Sequence, residues 1–257
     1  MKKINPDLQA PVSRACVAKA LLDALWLDDY FVLEDVSLKA LFPEGWAEGE
    51  SAAAEYCFEF DVPISEVRRS ALCRRPEFRA EVRSIEQGLA DIVPHEREND
   101  PSSWIVYIPF DTCPYNLGGS LYEKRLGIPC GAAAEVADAP YFADCFELVR
   151  EMVEDGVVLA ARTVSEGGLD AALRAFGGAR IDLSGVLKAY PGTDAEHLLH
   201  SEVPGALIQV SDSDFDYIDA EFLLQDIAYY PLGHPSARLE ISEFAGLRDI
   251  LGSLIRK

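Results

Sequence analysis

Two glycine pairs stand where this chain could meet an anion. In Leu159-Ala160-Ala161-Arg162-Thr163-Val164-Ser165-Glu166-Gly167-Gly168-Leu169, an apolar strand runs into a glycine turn and then into a helical pattern. In Asn116-Leu117-Gly118-Gly119-Ser120-Leu121, a second pair opens another short helix. The first backbone N–H groups of a helix have no intrahelical acceptor, and glycine lets a phosphate or carboxylate approach them closely. The same pattern also suits a plain strand-to-helix turn with Ser165 as its cap, and Glu166 makes the first turn a poorer phosphate site. The residues alone are compatible with both.

Two further clusters carry chemistry-bearing side chains. In Glu196-His197-x-x-His200-Ser201-Glu202, the histidines fall one helical turn apart with carboxylates nearby. A metal centre would need a third strong ligand that the segment does not offer, so they read as surface or edge histidines and no metal site is expected. Arg68, Arg69, Arg74, Arg75, Arg79 and Arg83 form a basic island. Forked guanidiniums could hold a phosphate there. The alternative has them pairing with acidic residues of the second half of the chain or forming a solvated helix face. No Walker loop, His-Glu-x-x-His motif, Rossmann fingerprint or Ser-His-Asp order is present.

The whole composition limits what these clusters can serve. The 257 residues carry 44 acids and 23 bases, a formal charge of −21. Residues 1–100 hold 20 acids and 12 bases, and 101–257 hold 24 and 11. Such a balance argues against nucleic acid and against an anionic membrane surface as partners. No apolar run reaches signal-peptide or membrane-spanning length, so a cytoplasmic protein is expected. Cys16, Cys57, Cys73, Cys113, Cys130 and Cys145 contain no Cys-x-x-Cys pair and read as small buried hydrophobes rather than a zinc or disulfide framework.

The elements that must position the clusters follow from periodicity. A helix is predicted over 13–29, capped by Ser13, and a strand within 53–62, on the mixed apolar run Tyr56-Cys57-Phe58-Glu59-Phe60. The arginine island reads as two short helices split by Pro76. The polar, proline-bounded segment 94–103 is the candidate linker, dividing the chain into regions 1–103 and 104–257. Beyond it come strands at 104–108, 157–161, 205–210, 227–230 and 238–241. Helices are predicted from Gly118, over 141–154, from Gly168 to Phe176, from Asp214 and over 244–255. This mixture predicts a layered α/β (α+β) fold.

Four blocks in order resemble one family. Trp104–Phe110 with Leu117-Gly118-Gly119-Ser120 is similar to its strand and Leu-Gly-Gly-Ser helix start. Val136-Ala137-Asp138-Ala139-Pro140, then Gly156–Ala160 and Ser165-Glu166-Gly167-Gly168-Leu169, resemble its "Leu-Leu-Ala-Tyr-His-Asp-x-Ser-Asp-Gly-Gly-Leu" passage. Ser201-Glu202-Val203-Pro204-Gly205-Ala206-Leu207-Ile208-Gln209-Val210 looks like its "Phe-Ser-Glu-Glu-x-Gly-Ala-Val-Ile-Gln-Val", and Tyr229–Gly233 takes the place of its closing strand. The family is the aminoimidazole-ribonucleotide-synthase superfamily, in the C-terminal-domain form found in phosphoribosylformylglycinamidine synthases. The chain departs from it at Arg162-Thr163, where the family has His-Asp, at Glu166 in place of Asp, and at Asn116, where an Arg often stands. Glu34-Asp35-Val36-Ser37-Leu38 lacks the Lys and Asp of the family's Gly-Lys-Asp-Ser-Leu.

The resemblance implies the superfamily's C-terminal-type fold behind a divergent N-terminal region, and a purine-pathway ligase chemistry with ATP and Mg. Its ligand would be a nucleotide or phosphoribosyl compound contacted by Gly118, Gly119, Ser120, Ser165, Gly167, Gly168 and Glu202, with Arg162 as a cationic phosphate contact. The departures leave such a chain incomplete as a stand-alone ligase. The alternative is a non-catalytic structural or partner-binding domain, as a homodimer or beside a partner subunit.

Overall fold

The apolar run after the proline-bounded segment forms strand β4 (Trp104–Pro109), buried from Ile105 to Pro109. Alternate side chains leave a strand on opposite faces. Val106 and Ile108 enter one hydrophobic core, and Ile105 and Tyr107 another. A strand covered on both faces needs no polar alternation, which is why it reads as a continuous apolar stretch. In this computed structural model, which describes residues 6–27, 31–83 and 93–243, β4 lies inside a six-stranded mixed sheet. The other strands are β5 (Val158–Val164), β6 (Ala179–Asp182), β7 (Gly205–Val210), β8 (Tyr230–Pro235) and β9 (Glu240–Ser242), in the order β5-β7-β4-β8-β6-β9. Only the β6–β9 pairing is parallel.

Helices cover both faces. α1 (Gln9–Ala24), α2 (Ala47–Glu59), α4 (Ala139–Glu154) and α8 (Phe215–Leu224) contribute to the first core. α5 (Gly168–Phe176), α6 (Ser184–Ala189) and α7 (Ala195–His200) contribute to the second, while α3 (Leu121–Leu126) is a short helix capped by Ser120. A second sheet, β2-β1-β3, joins β1 (Val36–Pro43) to β2 (Ile64–Ser70) in parallel and to β3 (Glu77–Val82) antiparallel. The architecture is layered α/β, as expected.

Four sequence expectations are corrected. The 53–62 strand is part of helix α2, because Ala52, Ala53, Tyr56, Cys57 and Phe60 are buried at helical spacing, and that longer period overrides the short apolar run. The arginine island forms β2 and β3 rather than helices: Phe78, Ala80 and Val82 alternate with polar residues and pair across β1. Helix α1 starts at Gln9 and ends at Ala24, and Ser13 lies buried inside it, its Oγ accepting from Trp46 Nε1 at 2.9 Å instead of capping. The closing strands shift to β8 and β9, and the predicted helix 244–255 falls outside the described residues.

Residues 94–103 form no helix or strand and are held by specific bonds. Ala161 N–H donates to Pro94 O, and buried Gln209 bonds the Glu98 backbone at both its N–H and its C=O as well as Ser103 Oγ. The first core runs from α1, β1 and α2 into α4 and β7. Buried Arg150 of α4 adds a polar tie, donating to Leu25 O at 2.8 Å and to Leu27 O at the end of α1. Among the described residues no helix is long and apolar enough to cross a membrane.

The cysteines are free; Cys16, Cys57, Cys113 and Cys145 are buried, and Cys73 and Cys130 partly exposed. Burial pushes the Cys57 thiol up to about 12 and raises Cys16, Cys113 and Cys145 as well. Only thiolates react, so a thiol titration of the native protein near pH 8 is expected to count two reactive groups, Cys130 faster than Cys73, against six in urea. Four or more fast thiols in the native state would contradict this core.

Candidate functional site

The two glycine turns lie side by side, and one carboxylate spans them. Glu202, 8% exposed, sits in the buried segment that leads into β7. Its Oε1 accepts from Leu121 N–H at 2.8 Å, at the start of α3, and from Gly167 N–H at 3.0 Å, at the start of α5. Its Oε2 accepts from Arg75 Nη2 at 3.0 Å. Arg75 comes from the turn between β2 and β3, and it also reaches Glu166 at 3.1 Å and Cys16 Sγ at 3.4 Å. Burial works against its charge, but Cys16, Glu202 and Glu166 more than offset that, so the guanidinium stays charged. Arg75 therefore supplies the cation at the first turn, where Arg162 was expected.

The remaining N–H groups of the glycine pairs also have internal acceptors. Gly118 N–H donates to Ala132 O at 2.7 Å, Gly119 N–H to Glu123 Oε2 at 3.1 Å, and Gly168 N–H to Ser165 O at 2.9 Å. Ser120 caps α3, its Oγ accepting from Glu123 N–H and donating to Leu117 O. Ser165 does not cap α5; Gly167, in the left-handed region at φ +81°, holds that position. The glycines are needed because other backbone comes close. A Cβ on Gly118 would lie 2.3 Å from Gly131 O, and one on Gly168, at φ +68°, would lie 2.5 Å from Leu199 O. Here the close approach that glycine permits is made by the chain's own backbone.

The expected site residues thus divide. Gly118, Gly119, Ser120, Ser165, Gly167, Gly168 and Glu202 converge on the paired turns, whereas the Arg162 guanidinium donates to His95 O at 3.2 Å. Of the arginine island, Arg69 makes a bidentate pair with Glu50 and Arg68 bonds Glu66, both in the first hundred residues. Only Arg75 of the island forms an ion pair with the second region among the described residues. Arg74, next to it in sequence, is exposed, so no local pattern singles Arg75 out.

The space left beside the turns is small. A cavity of about 20 Å³ lies between α1, at Val12 and Ala15, and Asn116, Gly119, Arg75 and Glu202. That admits roughly one water molecule. His197 and His200 do share α7, but His197 Nδ1 bonds Asp194 at 2.8 Å and His200 stacks on Tyr122 with ring centroids 4.3 Å apart. Among the described residues no three His, Cys, Asp or Glu side chains gather as metal ligands would.

Solved structures share this fold. PurL of Thermotoga maritima complexed with FGAR matches with a TM-score of 0.69 and 17% identity over 93% of this chain and 42% of that one. The same protein complexed with ATP matches with a TM-score of 0.65 and 16% identity over 91% and 39%. The hydrogenase maturation protein HypE matches with a TM-score of 0.53 and 16% identity over 86% of this chain and 73% of its own. The chain spans about two fifths of the PurL chains it matches. No family model matches it. The chain thus shares the fold of these PurL and HypE chains, as the resemblance implied.

Proposed function

We propose, from a fold held in common with PurL and HypE, that this chain is a phosphoribosylformylglycinamidine-synthase-like protein that does not catalyse alone and serves as a structural or partner-binding unit. One observation carries the reading: the N–H groups of both glycine pairs already have acceptors within the chain, Gly167 on the Glu202 carboxylate, which also takes Leu121 N–H, and the others on Ala132 O, Glu123 and Ser165 O. A phosphate arriving there would have to displace a buried carboxylate held by Arg75. The cavity beside it, about 20 Å³, is far below the roughly 300 Å³ of an ordinary small-molecule pocket. Magnesium carried on ATP needs one or two free carboxylates beside the phosphates, and the carboxylate at these turns, Glu202, is already held by Arg75 and two backbone N–H groups.

A second reading is nucleotide binding, favoured by the neighbours' complexes with ATP, ADP and AMPPCP. The nucleotide phosphates would then take the place of Glu202 at the Leu121 and Gly167 N–H groups. A thermal-shift series with magnesium-ATP and with FGAR at millimolar concentration separates the two. The unit reading expects no rise in Tm. A ligand present at 100 times its Kd stabilises by about 2.7 kcal/mol, which moves Tm of a chain this size by roughly 5–10 °C, so a rise of that order establishes the second reading.

A further inference from the structure

We infer that the outer face of α8 is a docking surface for a basic amphipathic segment of a partner protein. Ile218 and Phe222 turn one face of this helix into the first core. The opposite face carries Leu223 and Leu224, 69% and 78% exposed, with Tyr217 one to two turns before them. Residues 217, 220 and 224 fall at the i, i+3, i+7 spacing of a single stripe. Three of the chain's large exposed apolar side chains thus lie on one helix of ten residues.

The rim of the stripe has one sign of charge. Six acids lie between Asp212 and Asp226, and none forms an ion pair among the described residues. Those with side-chain bonds accept from neutral groups: Asp212 from Trp104 Nε1, Asp214 from Ser211 Oγ and Asp219 from the Tyr229 hydroxyl. The Tyr217 hydroxyl donates to Asp155 at 2.9 Å, extending the acidic border to the end of α4. The sequence has no Lys or Arg from 189 to 237, so no neighbour in sequence neutralises the patch. An apolar centre inside an acidic rim is complementary to a helix with apolar anchors and Lys or Arg flanks.

A second copy of the chain is a poor occupant. Two molecules of charge −21 repel each other, and the exposed Arg68 and Arg69 are already engaged with Glu66 and Glu50. The inference names a surface for the partner-binding reading and rests on it. Its test is separable, because none of the α8 residues contributes to the Glu202–Arg75 site.

The test is calorimetric titration of the full chain with a helical Leu/Lys peptide of about four turns at about 0.15 M salt. Binding is expected, and it should weaken about tenfold in Leu223→Ser with Leu224→Ser and in Asp216→Lys with Glu221→Lys, with Tm unchanged in both. A peptide of the same composition scrambled out of helical register should bind the parent chain about tenfold more weakly. Equal binding by the parent and the serine pair overturns the proposal. So does light scattering that finds a dimer of the parent chain dissociated by the serine pair, because the occupant is then a second copy.

Discussion

Glu202→Ala is expected to destabilise the protein by about 3–5 kcal/mol, the usual loss when one partner of a buried ion pair is removed. The carboxylate serves three donors at once: Leu121 N–H, Gly167 N–H and the Arg75 guanidinium. Alanine leaves two helix-start N–H groups without acceptors, each unmet buried donor costing about 1–3 kcal/mol, and it leaves Arg75 leaning on Glu166 alone among carboxylates. Water entering the adjacent cavity will recover part of this, which keeps the total below the plain sum. Urea unfolding should give a lower midpoint with an unchanged slope. Glu202→Gln should fall between, because its amide oxygen can still accept from the N–H pair while its NH₂ faces Arg75. Sulfate should stabilise the alanine variant more than the parent, since the vacated donors form an anion site. A loss under about 1 kcal/mol, the size of an ordinary surface hydrogen bond, would mean that Glu202 does not hold the turns together.

Arg150→Ala should cost a similar amount, about 3–5 kcal/mol, through a different set of contacts. The side chain is 2% exposed, and it donates to Leu25 O and Leu27 O beyond the last turn of α1 and to Glu154 at 3.0 Å. Its guanidinium also stands 4.4 Å from the centre of the Phe31 ring. A planar fork reaches two carbonyls and a carboxylate together, and an ammonium cannot, so Arg150→Lys should recover less than half of the loss. Stability by urea unfolding checks both variants; full recovery by lysine would show that charge alone matters at this position.

Both predictions concern residues whose importance is not local, and that explains what the sequence could disclose. Strands β4 and β7 were legible because burial on both faces leaves an unbroken apolar run, and α4 because Phe142, Phe146, Val149 and Val153 mark one face of a helix. α2 was hidden by a short apolar run inside a longer helical period, and β2 and β3 by arginines, which fix no secondary structure of their own. The glycine turns were visible as turns. That Glu202 belongs with them came from the family resemblance, and its act of bridging both could not be read locally, because Arg75 lies 127 positions away and Leu121 lies 81. Arg162 stands where the family has His, but its guanidinium bonds His95 O. Folding brought a different arginine instead.

The placing of β4 between β7 and β8 has a consequence for how the protein is made. Residues 104–109 leave the ribosome long before their hydrogen-bonding neighbours at 205–210 and 230–235. At roughly 5–20 residues per second, the delay is on the order of five to twenty seconds. Throughout it, a six-residue apolar strand presents two open edges to any other nascent chain or chaperone. A pause in translation between codons 110 and 205 should lower soluble yield more than an equal pause after 235, although the finished protein is identical.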